Sequence, residues 1–189
     1  MKVRFLAGGF IFMLLSMTLL ATSASAQEKQ EAAQTSAPIP VPTNMEPGMA
    51  DLVIKGKINR SGNLYIDLKS LISLPSVSFT SLDPWDGKSH KFTGVLLKDV
   101  MTWVGIENSV STLVLTARNQ YSIPIRRDDY EKFGYIIAYR MDGTDFSANP
   151  ATKKRGPLAI AIDLTKNKKL DPEIYKHQLV WQLAEILVR

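Results

Sequence analysis

The residue types that could bind a small polar molecule are concentrated in three loops between predicted strands. The first loop contains Asp-Pro-Trp-Asp-Gly, the second Arg-Asn-Gln-Tyr and the third Lys-Lys-Arg-Gly-Pro. Together they would supply an aromatic plate, a carboxylate and cationic donors. Such a set suits a flat, polar heterocycle, whose ring stacks on indole while carboxylate, amide and guanidinium groups bond to its edge. The candidate binding residues are Ser81, Asp83, Trp85, Asp86, Arg118, Asn119, Tyr121 and Arg155.

Trp85 is the most informative of these candidates. Asp-Pro and Asp-Gly are turn dipeptides, so the chain is predicted to reverse at the surface around this residue. A large aromatic side chain in an exposed turn is a solubility liability unless it contacts something. Each loop also has a simpler explanation when taken singly: an indole folded back on the domain, a solvated arginine and a charged face.

Composition narrows the chemistry further. The chain contains no cysteine and only two histidines, His90 and His177. It therefore has no thiolate nucleophile, thiolate metal ligand or redox pair. Neither histidine lies in a metal-binding spacing, so no metal ligands are predicted. The formal net charge of +5 over 189 residues is too small a surplus to indicate a nucleic-acid binder.

The first 26 residues have the features of an export signal. Lys2 and Arg4 precede an apolar run over residues 5–20, and Ala-Ser-Ala at 24–26 matches the pattern that signal peptidase cleaves. Cleavage would leave Gln27 at the N-terminus, and the protein is predicted to be periplasmic. The apolar run is short for a membrane span, so an uncleaved anchor is the less favoured alternative.

The remainder is predicted to be a disordered, proline-rich arm at residues 27–50 and a single folded domain at 51–189. The arm is polar, and its spaced prolines favour extended backbone. In the domain, short strand patterns dominate over a few short helical ones, which predicts an α+β fold. The predicted strands cover residues 52–58, 64–66, 77–80, 88–93, 112–116, 121–125, 135–141 and 158–164. The first two are predicted to form a hairpin, because Ser-Gly-Asn at 61–63 is a turn sequence.

Three short helices are predicted between these strands. One follows Asp67, which can cap it, and continues to Leu74. The second covers residues 94–105, with an apolar stripe at helical spacing and Gly105 as its C-terminal cap. The third covers 127–133. The last segment, 178–188, fits the helical and strand templates equally well.

With its elements in this order, the sequence resembles the molybdopterin-binding domain of the sulfite oxidase fold. The matching stretches are FTSLDPWDGKSHKFTGVLLKDVMTWVG, NQYSIPI, YIIAYRMDGTDF, KRGPLAIAID and VWQLAEILV. The resemblance covers residues 51–189. It implies a fold of mostly β-strands with a few short helices, a cradle for a pterin, and a last segment that ends as a strand.

The resemblance also bears on catalysis. In catalytic members of the family a cysteine thiolate binds molybdenum, and in one branch it lies four residues before a tryptophan. Here the tryptophan is Trp85 and Ser81 occupies that spacing. A serine hydroxyl is a poor substitute for a soft thiolate. A molybdenum cofactor is therefore not expected, the protein is predicted not to be an enzyme, and no catalytic residue is predicted.

The chain looks instead like exported, cysteine-free proteins of this fold that bind pterins. Those proteins regulate a membrane-bound partner, typically a diguanylate cyclase or phosphodiesterase that controls attachment and biofilm formation. The resemblance implies a reduced, metal-free pterin at Trp85 and, as partner, the periplasmic domain of such an enzyme or of a histidine kinase. Two alternatives stay open: a molybdopterin-dependent oxidoreductase with atypical ligation, and an adaptor whose cradle is vestigial.

Overall fold

The computed structural model describes residues 44–189. The predicted signal peptide and residues 27–43 of the predicted arm lie outside the described residues. Residues 44–50, which the sequence assigns to the arm, lie beside a strand at 64–66. Tyr65 donates its N–H to Asn44 Oδ1 at 2.7 Å and accepts the Met45 N–H at 3.1 Å. In the part of the chain that is described, no helix is long and apolar enough to cross a membrane.

The first of two sheets contains the two ends of the described domain. Its strands are β1 (Leu52–Gly56), β2 (Leu64–Ile66), β5 (Thr112–Ala117), β6 (Ser122–Arg126) and β10 (Leu183–Val188). They lie in the order β2-β1-β10-β5-β6. β1 and β2 form the predicted hairpin, and β10 pairs parallel with β1 and antiparallel with β5. The last segment is therefore a strand, as the resemblance implies.

The second sheet is antiparallel and carries the turn with Trp85. Its strands are β3 (Ser76–Asp83), β4 (Lys88–Leu96), β7 (Ile136–Met141), β8 (Thr144–Asp145) and β9 (Ala159–Ala161). β3 and β4 pair along their whole lengths around the turn at 84–87. β4 then pairs with β7, which also pairs with β8 and β9. β3 is consequently an edge strand.

Four short α-helices connect these strands: α1 (Leu68–Ile72), α2 (Leu97–Val104), α3 (Arg127–Phe133) and α4 (Pro172–Tyr175). The two predicted caps are confirmed. Asp67 accepts the Ser70 N–H at 2.8 Å, and Gly105 ends α2 in the left-handed conformation with φ of 72°. Single 3₁₀ turns occur at Pro47–Met49, Phe146–Ala148, Lys153–Arg155 and Lys176–Gln178.

Several predicted boundaries differ from the structure by one to five residues, and two of them are informative. The helix predicted from residue 94 begins at Leu97, because residues 94–96 complete β4 and pair with β7. A side chain at Gly94 would overlap the Ile137 carbonyl oxygen, so this close approach of β4 and β7 requires glycine. The strand predicted over residues 158–164 is limited to Ala159–Ala161.

The apolar residues form two buried clusters that hold the sheets. The larger cluster joins residues of both sheets to α1 and α2, and Tyr130 and Tyr135 are among its largest members. The smaller cluster lies on the second sheet around Phe92, Ile136 and Phe146. The functional candidates lie at the ends of strands that these two clusters fix in place.

Candidate ligand-binding site

A cavity of about 250 Å³ opens where the β3–β4 turn, the β5–β6 loop and the segment before β10 meet. Two indoles and one phenol dominate its wall, with a single amide among the polar groups. A mostly apolar, aromatic lining with few polar groups is typical of small-molecule sites. The lining residues are Trp85, Ala117, Asn119, Tyr121, His177, Leu179, Val180 and Trp181.

Trp85 forms one wall of this cavity and is not folded into the core. Its side chain is 48% exposed, and it meets Trp181 edge to face with ring centroids 5.6 Å apart. The turn that carries it is fixed from within, because Asp83 Oδ1 accepts the Trp85 N–H at 2.9 Å. The Gly87 N–H donates to the Asp83 carbonyl at 2.8 Å. The indole is thus held at the cavity mouth by a closed turn.

Trp181 forms the second wall and rests on a cation. The Arg155 guanidinium carbon lies 4.4 Å from the Trp181 ring centroid, a distance at which a guanidinium stabilises an indole face. The neighbouring residue Gln182 connects this segment to the Lys-Lys-Arg loop by two hydrogen bonds. Its N–H donates to the Arg155 carbonyl at 2.8 Å, and its side-chain amide donates to the Lys154 carbonyl at 3.0 Å.

A buried ion pair joins the two walls. The Arg155 guanidinium is bonded to the Asp83 carboxylate, and the two residues are only 6% and 2% exposed. Arg155 also lies 3.4 Å from Asp86 Oδ2. Paired charges of this kind persist in the interior because each neutralises the other. Asp83 and Arg155 therefore support the cavity from behind, and neither is among its lining residues.

The β5–β6 loop contributes the polar side of the cavity. Asn119 Oδ1 accepts the Tyr121 N–H at 3.0 Å, which shapes the turn, and Gln120 takes a positive φ of 71°. The Tyr121 hydroxyl donates to the His177 carbonyl at 2.6 Å and closes the floor. Arg118 lies outside the lining, with its guanidinium 3.9 Å from an Asp51 carboxylate oxygen.

Ser81 is placed away from the cavity. It is fully buried, and its Oγ accepts the Leu164 N–H at 2.9 Å. A hydroxyl that holds a buried backbone donor is not available as a ligand without leaving that donor unpaired. The sequence contains no cysteine, so it offers no thiolate to a soft metal ion. The residues present do not fit a molybdenum centre.

A charged cluster joins the Trp85 turn to β4 and to Asp142. His90 Nε2 is 2.9 Å from Asp86 Oδ2, and His90 Nδ1 is 2.6 Å from Asp142 Oδ2. Partial burial alone would lower the pKa of His90, but its hydrogen bonds to the two carboxylates and their charges outweigh it. The pKa of His90 is therefore raised above 6.5.

The carboxyl partners of His90 shift in the opposite direction. Burial would raise the pKa of Asp86 and of Asp142, but backbone N–H donors and His90 outweigh it, so both pKa values are lowered. Among the described residues, Asp83, Asp86 and His90 form one group with metal-ligating atoms within 4.8 Å of one another. That group already contains a cation, the Arg155 guanidinium.

Six of the eight predicted candidates thus fall into two sets. Trp85, Asn119 and Tyr121 lie together on the cavity wall, although they come from two loops. Asp83, Asp86 and Arg155 form the ion-paired support behind Trp85 and Trp181. Ser81 and Arg118 are in neither set.

Sequence reasoning missed the second indole of the site. Trp181 stands before β10, in a segment whose periodicity fits both helix and strand, so nothing local places it next to Trp85. A second tryptophan in an irregular segment was the available signal. His177 was also missed, since a lone histidine is usually a surface residue.

Comparison with known proteins supports the fold. No protein-family model matches the chain, and no curated protein matches it. Among solved structures, the chain is similar to the sulfane dehydrogenase SoxCD from Paracoccus pantotrophus, with a TM-score of 0.55 and 10% sequence identity. The match covers 72% of this chain but only 37% of that one. The predicted fold class, an α+β sulfite-oxidase-like fold of mostly strands, is thereby confirmed.

Proposed function

We propose that this protein binds a reduced, metal-free pterin in the aromatic cavity and acts as an exported, non-catalytic regulator. The observation that carries the proposal is the half-exposed Trp85, fixed at the mouth of a cavity that Trp181 and Tyr121 complete. A flat heterocycle between such rings gains dispersion and quadrupole interactions that an aliphatic ligand does not.

The polar groups of the site fit the edge of such a ring only in part. The Asn119 amide can bond to a ring carbonyl or ring nitrogen. The lining, among the described residues, includes no carboxylate, because Asp83 is committed to Arg155 and to the Trp85 N–H. We therefore assign recognition chiefly to stacking, and Asp86, one residue after Trp85, is a partly exposed acid of the same turn.

The regulatory part of the proposal rests on the resemblance of the sequence to cysteine-free pterin-binding proteins. The expected partner is the periplasmic domain of a membrane-bound cyclic-di-GMP enzyme or of a histidine kinase. A ligand acts as a signal only if it binds the signalling form more tightly than the other form. The pterin is therefore expected to change the affinity of the protein for its partner.

The alternative is a molybdopterin-dependent oxidoreductase with atypical ligation. It is favoured by one observation, that the structural neighbour is a dehydrogenase. It requires a molybdenum ligand from a chain that has no cysteine and whose Ser81 hydroxyl holds the Leu164 N–H.

The test is the ligand and metal content of the protein purified from its own cells, followed by titration with tetrahydrobiopterin. Replacing Trp85 by alanine removes one stacking face, worth about 1–3 kcal/mol, or on the order of 10–100-fold in Kd. Trp85→Phe should retain part of the affinity. Ile72→Ala is the control: it removes an exposed apolar side chain that lies on α1 and not in the cavity, so it should leave the Kd unchanged.

Three outcomes distinguish the candidate functions. A metal-free pterin that is lost in Trp85→Ala, with an altered cellular cyclic-di-GMP level in that variant, supports the proposal. Molybdenum at close to one atom per chain would contradict the proposal and support the oxidoreductase. A protein that contains neither group and binds no pterin would be an adaptor.

A further inference from the structure

The outer edge of β3 carries unpaired backbone groups. Leu82, near the end of the strand, donates its N–H to Thr165 Oγ1 at 3.1 Å and so faces away from β4. In an antiparallel strand, both backbone groups of a residue face one edge, and every second residue is equivalent. Ser76, Ser78 and Thr80 therefore direct their N–H and C=O groups outward. Within residues 44–189, no partner hydrogen-bonds to these groups.

Within the described residues, Thr165 covers this edge at Leu82, whereas the part at residues 76–80 has none of the usual protection. Exposed edge strands are normally prevented from pairing with other chains by lysine, proline, a bulge or a covering segment. Residues 76–80 read Ser-Val-Ser-Phe-Thr, with neither charge nor proline, and pair with β4 without a register shift. An uncharged edge of this length is a ready template for an added strand.

A groove of about 340 Å³, lined by both apolar and polar side chains, lies beside this edge. Its floor is formed by Val77, Phe79, Leu96 and Phe133, all of them only partly buried. Val77 and Phe79 pack against the smaller hydrophobic cluster. A strand added to β3 would place alternate side chains over this floor, because side chains along a strand alternate between two faces.

Three lysines outnumber two carboxylates at the rim of the groove. Glu131 is in an ion pair with Arg127 at 2.7 Å, so Asp163 is the one carboxylate of the lining that stands against the three lysines. Three lysine ammonium groups at the rim form no ion pair with any residue between 44 and 189. These lysines are Lys98, Lys132 and Lys166.

We propose that the β3 edge and its groove bind an extended, acidic segment of a partner protein by strand addition. The backbone of Ser76, Ser78 and Thr80 would supply the hydrogen bonds. Apolar side chains of the segment would fill the groove, and its carboxylates would meet the lysines. This inference does not depend on the proposed pterin.

Two other occupants fit the surface less well. A second copy of this chain paired through β3 would bring the same unpaired lysines together, and like charges at an interface are unfavourable. The chain's own arm has prolines at 38, 40 and 42. Prolines at alternate positions leave no N–H along one edge of an extended segment, and residues 38–43 contain no acidic side chain that could meet the lysines.

The probe is a synthetic peptide of alternating valine and glutamate, acetylated and amidated, added to the purified full chain. We expect it to slow hydrogen exchange at the Ser78 and Thr80 amides by at least about tenfold, since both N–H groups would become hydrogen-bonded. The same peptide with lysine in place of glutamate should bind at least about tenfold more weakly, because like charges repel.

Variants separate the backbone and charge contributions. Ser78→Pro removes an outward N–H without removing a ladder bond to β4 and should abolish binding. The double variant Lys98→Glu/Lys132→Glu should weaken binding of the acidic peptide and strengthen that of the lysine peptide. Lys69→Glu, on α1 and outside the groove, is the matched control and should bind like the wild type.

Several results would overturn the inference. Equal binding of the two peptides would contradict the proposed preference for acidic segments. Unchanged hydrogen exchange at the Ser78 and Thr80 amides would contradict strand addition. Dimerisation that is abolished by Ser78→Pro would make a second copy the occupant. If Ser78→Pro does not fold, the acidic peptide with alternate backbone N-methyl groups gives the same test from the ligand side. Tetrahydrobiopterin binding, measured in parallel, fails or succeeds independently of all these outcomes.

Discussion

Replacing Arg155 by methionine tests whether one ion pair supports both walls of the cavity. Arg155 and Asp83 are 6% and 2% exposed, so their charges neutralise each other in the interior. Methionine keeps much of the side-chain volume under Trp181 but leaves the Asp83 carboxylate buried and uncompensated. Removing one partner of a buried pair costs about 3–5 kcal/mol.

This loss is large compared with the total stability of a domain, about 5–15 kcal/mol. For a chain of this size, each kcal/mol corresponds to roughly 2–4 °C in Tm, so the expected decrease is on the order of 10 °C. Urea unfolding followed by far-ultraviolet circular dichroism and by tryptophan fluorescence measures it. The fluorescence of Trp85 and Trp181 should change even in the folded state, because their support has been altered.

Asp83→Asn and the double variant complete a thermodynamic cycle. The Asp83→Asn substitution would leave the guanidinium with Asp86 at 3.4 Å, so it should cost less than Arg155→Met. The double variant should lose less than the sum of the single losses, because neither charge is then left alone. Lys154→Met, which removes an exposed cation 5.6 Å from the Trp181 ring, is the control and should cost at most about 1 kcal/mol. Additive losses, or an Arg155→Met loss no larger than that of the control, would refute the reasoning.

Two further predictions concern the second sheet. The pKa of His90 is raised by Asp86 and Asp142, so its stabilising contribution is fully present below its ordinary pKa of 6.5 and is lost as the pH rises through the higher folded value. The stability advantage of wild type over His90→Asn should therefore shrink as the pH rises above about 6.5 in urea unfolding, and an advantage that grows with pH would contradict the assignment. Gly94→Ala should lose about 1–3 kcal/mol or more because the added carbon overlaps the backbone of β7. Gly48→Ala, which meets nothing within 4 Å, is its control, and equal stabilities would show that β4 can shift.

Much of the fold could be predicted because its signals are local. The stripe of α2 and its Gly105 cap are readable from neighbouring residues, as are the Asp67 cap and the β1–β2 hairpin. The start of α2 could not be read, because its helical period extends back to Gly94 and only pairing with β7 assigns residues 94–96 to β4. The last segment needed the family resemblance, since β1 and β5 select the strand from two compatible patterns.

The loops that form the candidate site could be predicted from the sequence, but the ion pair between Asp83 and Arg155 could not. Trp85, Asn119 and Tyr121 stand out as polar or aromatic residues in turns, and they do meet in one cavity. Asp83 and Arg155 stand out equally in the sequence, but the sequence does not show that they neutralise each other. A charged side chain in a loop can bind a ligand when it has no partner, but it supports the structure when it is paired with an opposite charge.

The arrangement around Asp83 explains how two indoles that are distant in sequence are held at one cavity. One carboxylate oxygen holds the Trp85 N–H and the other holds Arg155, whose guanidinium lies under Trp181. Both indoles are therefore positioned by a single buried side chain, although they are far apart in sequence. Ser81, two residues earlier on the same strand, holds the Leu164 N–H and fixes the segment after β9. Buried hydrogen bonds and one ion pair thus make this edge rigid enough to present two aromatic rings to the cavity.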